Sequence, residues 1–310
     1  RTGDSYSYGV YRRPIATPNI EGSGILSAFS LKEWHYVSVC SQRYFFACAI
    51  VRLGYAAKMF AYLVDRENPQ HTVETSTLHP LSLGVSFAPS SIEGRTTWQK
   101  GNSSLQMEYV HAPTPGWKLD VNIKLGALPV QGTLHLADAE ALALLYKLPT
   151  GKPAYTHKAA GLSVQGTLHA GGRLLDLHGA VGGIDWTRSL ALRETRWLWS
   201  ALQGITPQGQ RIGLNLSALI YDDEQGNSQE NALWLDGKVY PLGGVQFVLP
   251  KDPCTQPWRI HSKNPEAKEV DLQFAPLGTR EEHVNLGLIR SDFIQPYGTY
   301  QGTLCPTGFG

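Results

Sequence analysis

Four consecutive residues, Asp185-Trp186-Thr187-Arg188, set a carboxylic acid, an indole, a hydroxyl and a guanidinium side by side. They follow Gly182-Gly183 and lead toward Trp197 and Trp199. In an extended chain Asp185 and Thr187 share one face, and Trp186 and Arg188 the other. A carboxyl beside an indole in a water-poor pocket can keep its proton near neutral pH and act as a general acid. A plainer reading makes Asp185 the cap of a Gly182-Gly183 turn and pairs Arg188 with a neighbouring acid. The residues alone leave both open.

A second group follows downstream. Asn215 and Ser217 share a strand face opposite Leu214 and Leu216, Tyr221 and Asp222 end that strand, and Glu230-Asn231 precede Trp234. A polar face on a barrel strand meets solvent or lines a ligand cavity. Upstream, Glu33-Trp34-His35 opens the first strong strand and could reach the same cavity with its acid or its imidazole. The candidate catalytic residues are therefore Asp185, Arg188, Glu230 and Asp222. The candidate ligand-binding residues are Trp34, Glu33, Trp186, Trp199, Asn215, Tyr221 and Asn231. Dinucleotide, Walker, nucleophile-elbow and zinc-protease motifs are absent. The ten histidines are dispersed, and Glu281-Glu282-His283 offers only two ligands on one strand face, so those side chains read as solvated. Neither a metal nor a cofactor is expected.

These residues need β-structure to position them. Of 310 residues, 42% are hydrophobic and 17% charged, and the 32 glycines and 19 prolines fall between apolar runs, the punctuation of many short strands. Trp34, Tyr36, Ser38 and Cys40 alternate with His35, Val37 and Val39, and Tyr44–Leu53 and Ala56–Asp65 continue a meander. Trp117–Leu125 alternates apolar with polar residues, which argues against a doubly wound parallel sheet. Further strands are expected at 83–88, 96–100, 105–111, 211–221, 232–235, 238–249, 258–262, 269–274, 284–289 and 299–304. Asp236-Gly237 marks a hairpin. The string VQGTLH occurs at Val130–His135 and again at Val164–His169, and QGTL recurs at Gln301–Leu304. No third copy follows the first spacing, so a solenoid is set aside in favour of a recurring way to open a strand. Between the two copies Ala137–Tyr146 (ADAEALALLY) has strong helix formers and predicts one short helix. The expected fold is all-β: two antiparallel barrels or sandwiches packed side by side, residues 1–185 and 186–310, with one short helix.

A net charge of +1 with interspersed signs argues against nucleic acid or an anionic membrane as partner. No apolar run reaches the length of a membrane span. Cys40 and Cys48 read as buried thiols, and Cys254 and Cys305 lie in loop-like contexts where pairing stays open. The expectation is a reducing cytoplasm. The chain begins at Arg1 without a signal-peptide layout, and an earlier leader is left open.

The succession LKEWHYVSV, YFFACAIVRLGY, GIDWTRS, TRWLW, GLNLS and ENALWLDGK resembles an uncharacterised bacterial family. That family is similar, at a distance, to the lipocalin-like hydroxyneurosporene synthases (carotenoid hydratases), and the broader group to kievitone hydratase and decalin-forming pericyclases. The resemblance implies two lipocalin-like barrels and a mainly apolar ligand. It also implies an acid beside aromatic groups, matched here by Asp185 and Trp186, with Tyr221 and Asp222 matching a further element. Arg188-Ser189 departs from the Trp-Gly ending of the hydratases, and a guanidinium suits a ligand bearing oxygen or negative charge. The leading reading is a cofactor-independent lyase or isomerase acting on a lipophilic small molecule, with Asp185 as acid and Arg188 and Asn215 orienting polar groups. The rival is a non-catalytic lipid or glycolipid binder in which Asp185 is structural. A sugar-active protein would require Asp185 and Glu230 as facing carboxylates.

Overall fold

The computed structural model describes residues 6–21, 30–191, 195–286 and 289–306, without the side chains of 283–286 and 289–291. Apart from one 3₁₀ turn at Pro69–His71, every regular element among the described residues is a strand. None is a helix long and apolar enough to cross a membrane. The chain divides into two compact units. The first holds Arg1–Leu192, Gln203–Gly213 and Trp234–Val239; the second holds Arg193–Leu202, Leu214–Leu233 and Tyr240–Gly310.

The first unit is built on one fourteen-stranded sheet. After β1 (Gly9–Tyr11), a meander runs through β2 (Lys32–Cys40), β3 (Tyr44–Leu53), β4 (Ala56–Asp65) and β5 (Val73–Pro80). A second runs through β6 (Val85–Ser86), β7 (Arg95–Lys100), β8 (Ser103–Val110), β9 (Gly116–Leu125) and β10 (Leu128–Ala137). Joining them are β11 (Leu142–Lys147), β12 (Pro153–Ala170), β13 (Arg173–Leu174) and β14 (Val181–Ser189). The order is β5-β4-β3-β2-β14-β12-β10-β9-β8-β7-β6, and every ladder is antiparallel. Strand β12 changes partner along its length: 153–158 pair with β11 and 164–170 with β10. Its register against β14 shifts between Ala160 and Leu162, where Gly161 takes φ +70°. An extra residue there bends the strand so that one chain segment serves both halves of the sheet.

Alternation along the strands decides what the sheet encloses. Val37, Phe46, Cys48, Ile50 and Met59 of the first meander share one core with Trp98, Leu105, Met107, Trp117 and Leu119 of the second. Polar contacts cross it as well: Trp98 Nε1 donates to His79 Nε2 at 2.7 Å, and His35 Nδ1 lies 2.9 Å from Thr96 Oγ1. The sheet has folded over on itself.

Ala137–Tyr146 is not a helix. Its second half is β11, paired with β12 on one side and β1 on the other. Leu142–Leu145 is buried residue by residue, so the segment has no polar face to offer solvent as a helix would. The polar residues before it are held locally. Asp138 accepts from Tyr109 Oη (2.6 Å) and Ala139 N (2.8 Å), and Glu140 accepts from Val239 N (2.9 Å). Tertiary pairing overrides propensity here.

Gly182-Gly183 is not a turn either. Both lie inside β14, central in the sheet. A Cβ on Gly182 would stand 2.5 Å from Leu136 Cδ2, and one on Gly183 would stand 2.5 Å from Gln203 Nε2. The pair is glycine because side chains close over both faces of the strand. A boundary between 185 and 186 would therefore cut a central strand hydrogen-bonded on both edges.

The VQGTLH copies pair with each other. Thr133 faces Thr167, Gly132 faces Leu168 and Leu134 faces Gly166, so the two strings run antiparallel about a local twofold. Gly132 has φ +154° and Gly166 φ +108°, and a Cβ on either would meet the facing carbonyl oxygen at 2.0 and 2.2 Å. Glycine lets the two backbones close at both ends of the pair.

Strands β15 (Leu198–Ile205), β16 (Arg211–Ala218), β17 (Ala232–Leu235) and β18 (Lys238–Pro241) form a four-stranded sheet in that order, and the division between units falls inside them. Asp236 (φ +48°) and Gly237 (φ +87°) make the expected hairpin turn. In the second unit β19 (Val245–Val248), β20 (Trp258–Ser262), β21 (Val270–Leu286) and β22 (Ile289–Leu304) form an antiparallel sheet. The expected strand 238–249 is broken at Leu242–Gly244, where Gly243 N donates to Glu269 Oε2 at 2.8 Å. Of the expected strand 284–289, residues 287–288 lie outside the described residues; 284–286 end β21 and Ile289 starts β22. All four cysteines are free thiols.

Candidate functional site

Asp185 sits at the middle of β14, level with Lys158 on β12 and Tyr36 on β2. Register partners point to the same face, so the three side chains stand in one row. Asp185 Oδ2 lies 2.6 Å from Lys158 Nζ, with side-chain exposures of only 11% and 7%. The Thr187 hydroxyl donates to Asp185 Oδ1 (3.2 Å) and meets the Thr156 hydroxyl at 3.1 Å. Tyr36 is hydrogen-bonded to Ser38 and Tyr62, and burial drives its phenol well above the ordinary tyrosine range, with Asp185 adding to the effect.

The same face is aromatic further along the sheet. Partners in the Asp185 row continue to Ala49 and Phe60, and the adjacent row brings Thr156, Thr187, Trp34, Val51 and Lys58. Trp34 packs on Phe60 with centroids 5.7 Å apart. On the other side Ser38 donates to Gln203 Oε1 at 3.2 Å, and Gln203 lies over Gly183. An ammonium and a carboxylate in contact among phenols and an indole form a site able to give and take protons beside apolar surface. Within the pair Lys158 donates the hydrogen bond and Asp185 accepts it.

Asp185 thus has a basic side chain, Lys158, in contact, while Trp186, the indole expected beside it, lies on the other face. Lys158 and Tyr36 were not among the expected residues, although Tyr36 falls on the alternating face with Trp34 and Ser38. A lone lysine inside the apolar run PAYTHKAAGL was the available signal for Lys158.

Arg188, Trp186 and Glu33 lie on the opposite face. Arg188 Nε donates to Ile20 O at 2.8 Å, and its NH1 lies 3.3 Å from Glu33 Oε1. Glu33 also contacts Arg52 at 2.5 Å. Burial pushes the Glu33 carboxyl up, opposed by both guanidiniums. Arg188 is therefore committed to a paired acid and a backbone carbonyl, the plainer of its two sequence readings. Trp186 is fully buried against Tyr155, centroids 5.8 Å apart.

The remaining expected residues belong to the second unit, where they form a separate polar cluster. Trp199 Nε1 donates to Asn215 Oδ1 (2.8 Å), and Asn215 Nδ2 donates to Glu230 O (2.7 Å). Ser217 N donates to Asn231 Oδ1 (2.7 Å), Asn231 Nδ2 to Gly243 O (2.9 Å), and the Ser217 and Ser228 hydroxyls meet at 2.6 Å. Glu230 Oε2 lies 3.5 Å from Ser217 Oγ. Both amides thus use both ends to tie chain segments together. Tyr221 takes φ +52° ahead of Asp222, whose carboxyl is raised by burial and whose backbone bridges to Ser228. Among the described residues no three His, Cys, Asp or Glu side chains gather to hold a metal ion.

A family described as Domain of unknown function (DUF2804) matches residues 1–308. The chain belongs to the DUF2804 family. No curated protein matches it. Solved structures similar to this DUF2804 chain include a protein assigned as AttH from Nitrosomonas europaea, at 14% identity over 80% of each chain with TM-score 0.46. Kievitone hydratase from Nectria haematococca is similar at 11% identity over 93% of this chain and 94% of its own, TM-score 0.44. CghA is similar at 11% identity over 87% and 82%, TM-score 0.41.

Proposed function

We propose that this DUF2804 protein is a cofactor-independent lyase or isomerase, hydratase-like in its chemistry, acting on a mainly apolar small molecule. The observation that carries the reading is the buried Lys158–Asp185 contact at 2.6 Å in one row with Tyr36. Hydration, dehydration and double-bond migration all require a proton removed at one atom and delivered at another. Asp185 takes the proton, Lys158 returns it, and Tyr36 orients a substrate hydroxyl. Trp34 and Phe60 supply the apolar wall.

A screen of hydroxylated and unsaturated lipophilic substrates, followed by mass spectrometry, tests this. Wild type is expected to turn over a member of the screen, and Asp185→Asn and Lys158→Met to lose about 10²-fold or more, the contribution of a positioned acid or base. Circular dichroism checks that the variants fold. Unchanged turnover in Asp185→Asn removes the acid–base role. Inactivity of the wild type, together with a stoichiometric, unaltered lipid in an organic-solvent extract, replaces catalysis with carriage.

A further inference from the structure

The opposite face of β14 holds a second polar group that the proton chemistry does not use. His157, Trp186 and His35 are register partners on β12, β14 and β2. Their side chains leave the same face of three adjacent strands, whose backbones run about 4.8 Å apart, with His157 against Trp117 and Trp186 against Tyr155. Their exposures are 0%, 0% and 2%. Each keeps one nitrogen, Nε2 of either histidine and Nε1 of Trp186, that has no hydrogen-bond partner among the described residues.

The contacts behind the imidazoles determine what those nitrogens carry. Thr96 Oγ1 accepts from Ala88 N (3.2 Å) and lies 2.9 Å from His35 Nδ1. Among the described residues, that Nδ1 is the acceptor at hydrogen-bond distance from the Thr96 hydroxyl. If the hydroxyl donates to it, His35 carries its hydrogen on Nε2, and a single group is left over. The other tautomer strands both the hydroxyl proton and the Nε2 lone pair, which is the costlier choice in a buried place. The same logic runs through a longer chain at His157. Ile15 N donates to Tyr155 Oη at 2.9 Å, Tyr155 is hydrogen-bonded to Ser91, and Ser91 Oγ lies 2.9 Å from His157 Nδ1. Passing each hydroxyl proton onward satisfies Tyr155 and Ser91 and again leaves Nε2–H. Three N–H groups on one row therefore face the interior as donors.

With this tautomer the row suits an acceptor, whereas a metal ion would need the other tautomer in both rings. Burial pushes both imidazoles down to about 3, so they donate as neutral groups. The next row on this face carries Arg188, Glu33 and Arg52, two guanidiniums around one carboxylate. The local excess is positive, which favours an anion over a neutral oxygen. We propose that His157, Trp186 and His35 bind one carboxylate group of a small organic acid inside the first unit, on the side of the sheet away from Asp185.

Acetate is the probe, and the full chain labelled with ¹⁵N in histidine and tryptophan is the sample. Two imidazoles that stay neutral down to pH 4 should show the Nε2–H tautomer in long-range ¹H–¹⁵N spectra. Their Nε2–H signals and one indole N–H should shift saturably with acetate and not with chloride at equal ionic strength. Trp186→Phe should weaken acetate by about tenfold, the worth of one hydrogen bond to a charged group. An Nδ1–H tautomer in either ring overturns the proposal. So does a wild-type response that is absent, or the same with chloride. The wild-type spectra decide the matter even if Trp186→Phe does not fold.

Discussion

Asp185 and Trp186 are chain neighbours, yet β14 gives them opposite surroundings. On the Asp185 face, charge survives burial because a partner stands in contact: Lys158 Nζ at 2.6 Å, with the Thr187 hydroxyl behind it. On the Trp186 face the flanking imidazoles rest on the Thr96 and Ser91 hydroxyls and are kept neutral by burial. A buried group retains charge only where its desolvation is offset by a close opposite charge. The first face therefore holds a charge pair, and the second presents neutral hydrogen-bonding groups.

The sharpest way to break this contrast is to remove one half of the ion pair. Lys158→Met leaves Asp185 buried with its countercharge gone, and should cost about 3–5 kcal/mol by urea denaturation. The double variant Lys158→Met/Asp185→Leu removes both charges and should recover most of that loss while remaining inactive. If the single variant costs less than about 1 kcal/mol, water reaches the pair and the face is not the dry site described here.

Acid tests the other face. His35 and His157 have folded values lowered to about 3 from an ordinary 6.5. Between these limits the unfolded chain binds protons that the folded chain refuses. Stability is therefore complete above about pH 6.5 and falls as pH drops toward 3. Each histidine contributes a slope of about 1.4 kcal/mol per pH unit. Denaturation at pH 6.0 and 5.0 should show the combined loss, and His35→Asn or His157→Asn should each remove about half of the slope. The raised carboxyls of Glu33 and Asp222 act with the opposite sign, so the histidine variants, rather than the window alone, isolate the imidazoles. A slope between pH 6 and 5 that neither histidine variant changes would mean that the rings accept protons in the fold.

How far the sequence revealed these faces depended on the range of the deciding contacts. Alternation within Trp34–Cys40 and within Asp185–Arg188 assigned residues correctly to opposite sides, since that pattern is local. It did not reveal which side was the core, because both are buried. The β-class was legible in turn punctuation, and the Asp236-Gly237 hairpin in two residues. Strand β11 was not, because its leucines and alanines favour helix and only β1 and β12 impose extension. The VQGTLH strings were visible, but their mutual pairing needed the intervening β11 segment to lie elsewhere. Lys158 was missed for a related reason: its partner is 27 positions away on the next strand, and nothing nearby in the chain predicts the match. The acid paired with Arg188, Glu33, is more remote still, 155 positions away in the chain.

The smallest effects should come from the two glycines of β14, and they compare the faces directly. A Cβ on Gly182 would meet Leu136 at 2.5 and 3.0 Å and Val164 at 3.1 Å. Leu136 is fully buried in the core cluster and has no room to retreat. Gly182→Ala should cost about 1–3 kcal/mol, the usual penalty of overpacking. On the other side, a Cβ on Gly183 would meet the Gln203 amide at 2.5 Å. That amide is the end of a flexible, half-buried side chain and can swing aside, giving up its bond to Ser38. Gly183→Ala should therefore cost about 1 kcal/mol or less, the worth of one hydrogen bond. Its larger consequence should be functional, because Ser38 is a hydrogen-bond partner of Tyr36. Thermal melts and turnover of the two variants together separate the faces: stability falls more with Gly182→Ala, and activity more with Gly183→Ala. Equal thermal losses would show that the Asp185 face is packed as rigidly as the core, leaving no adaptable wall for a ligand.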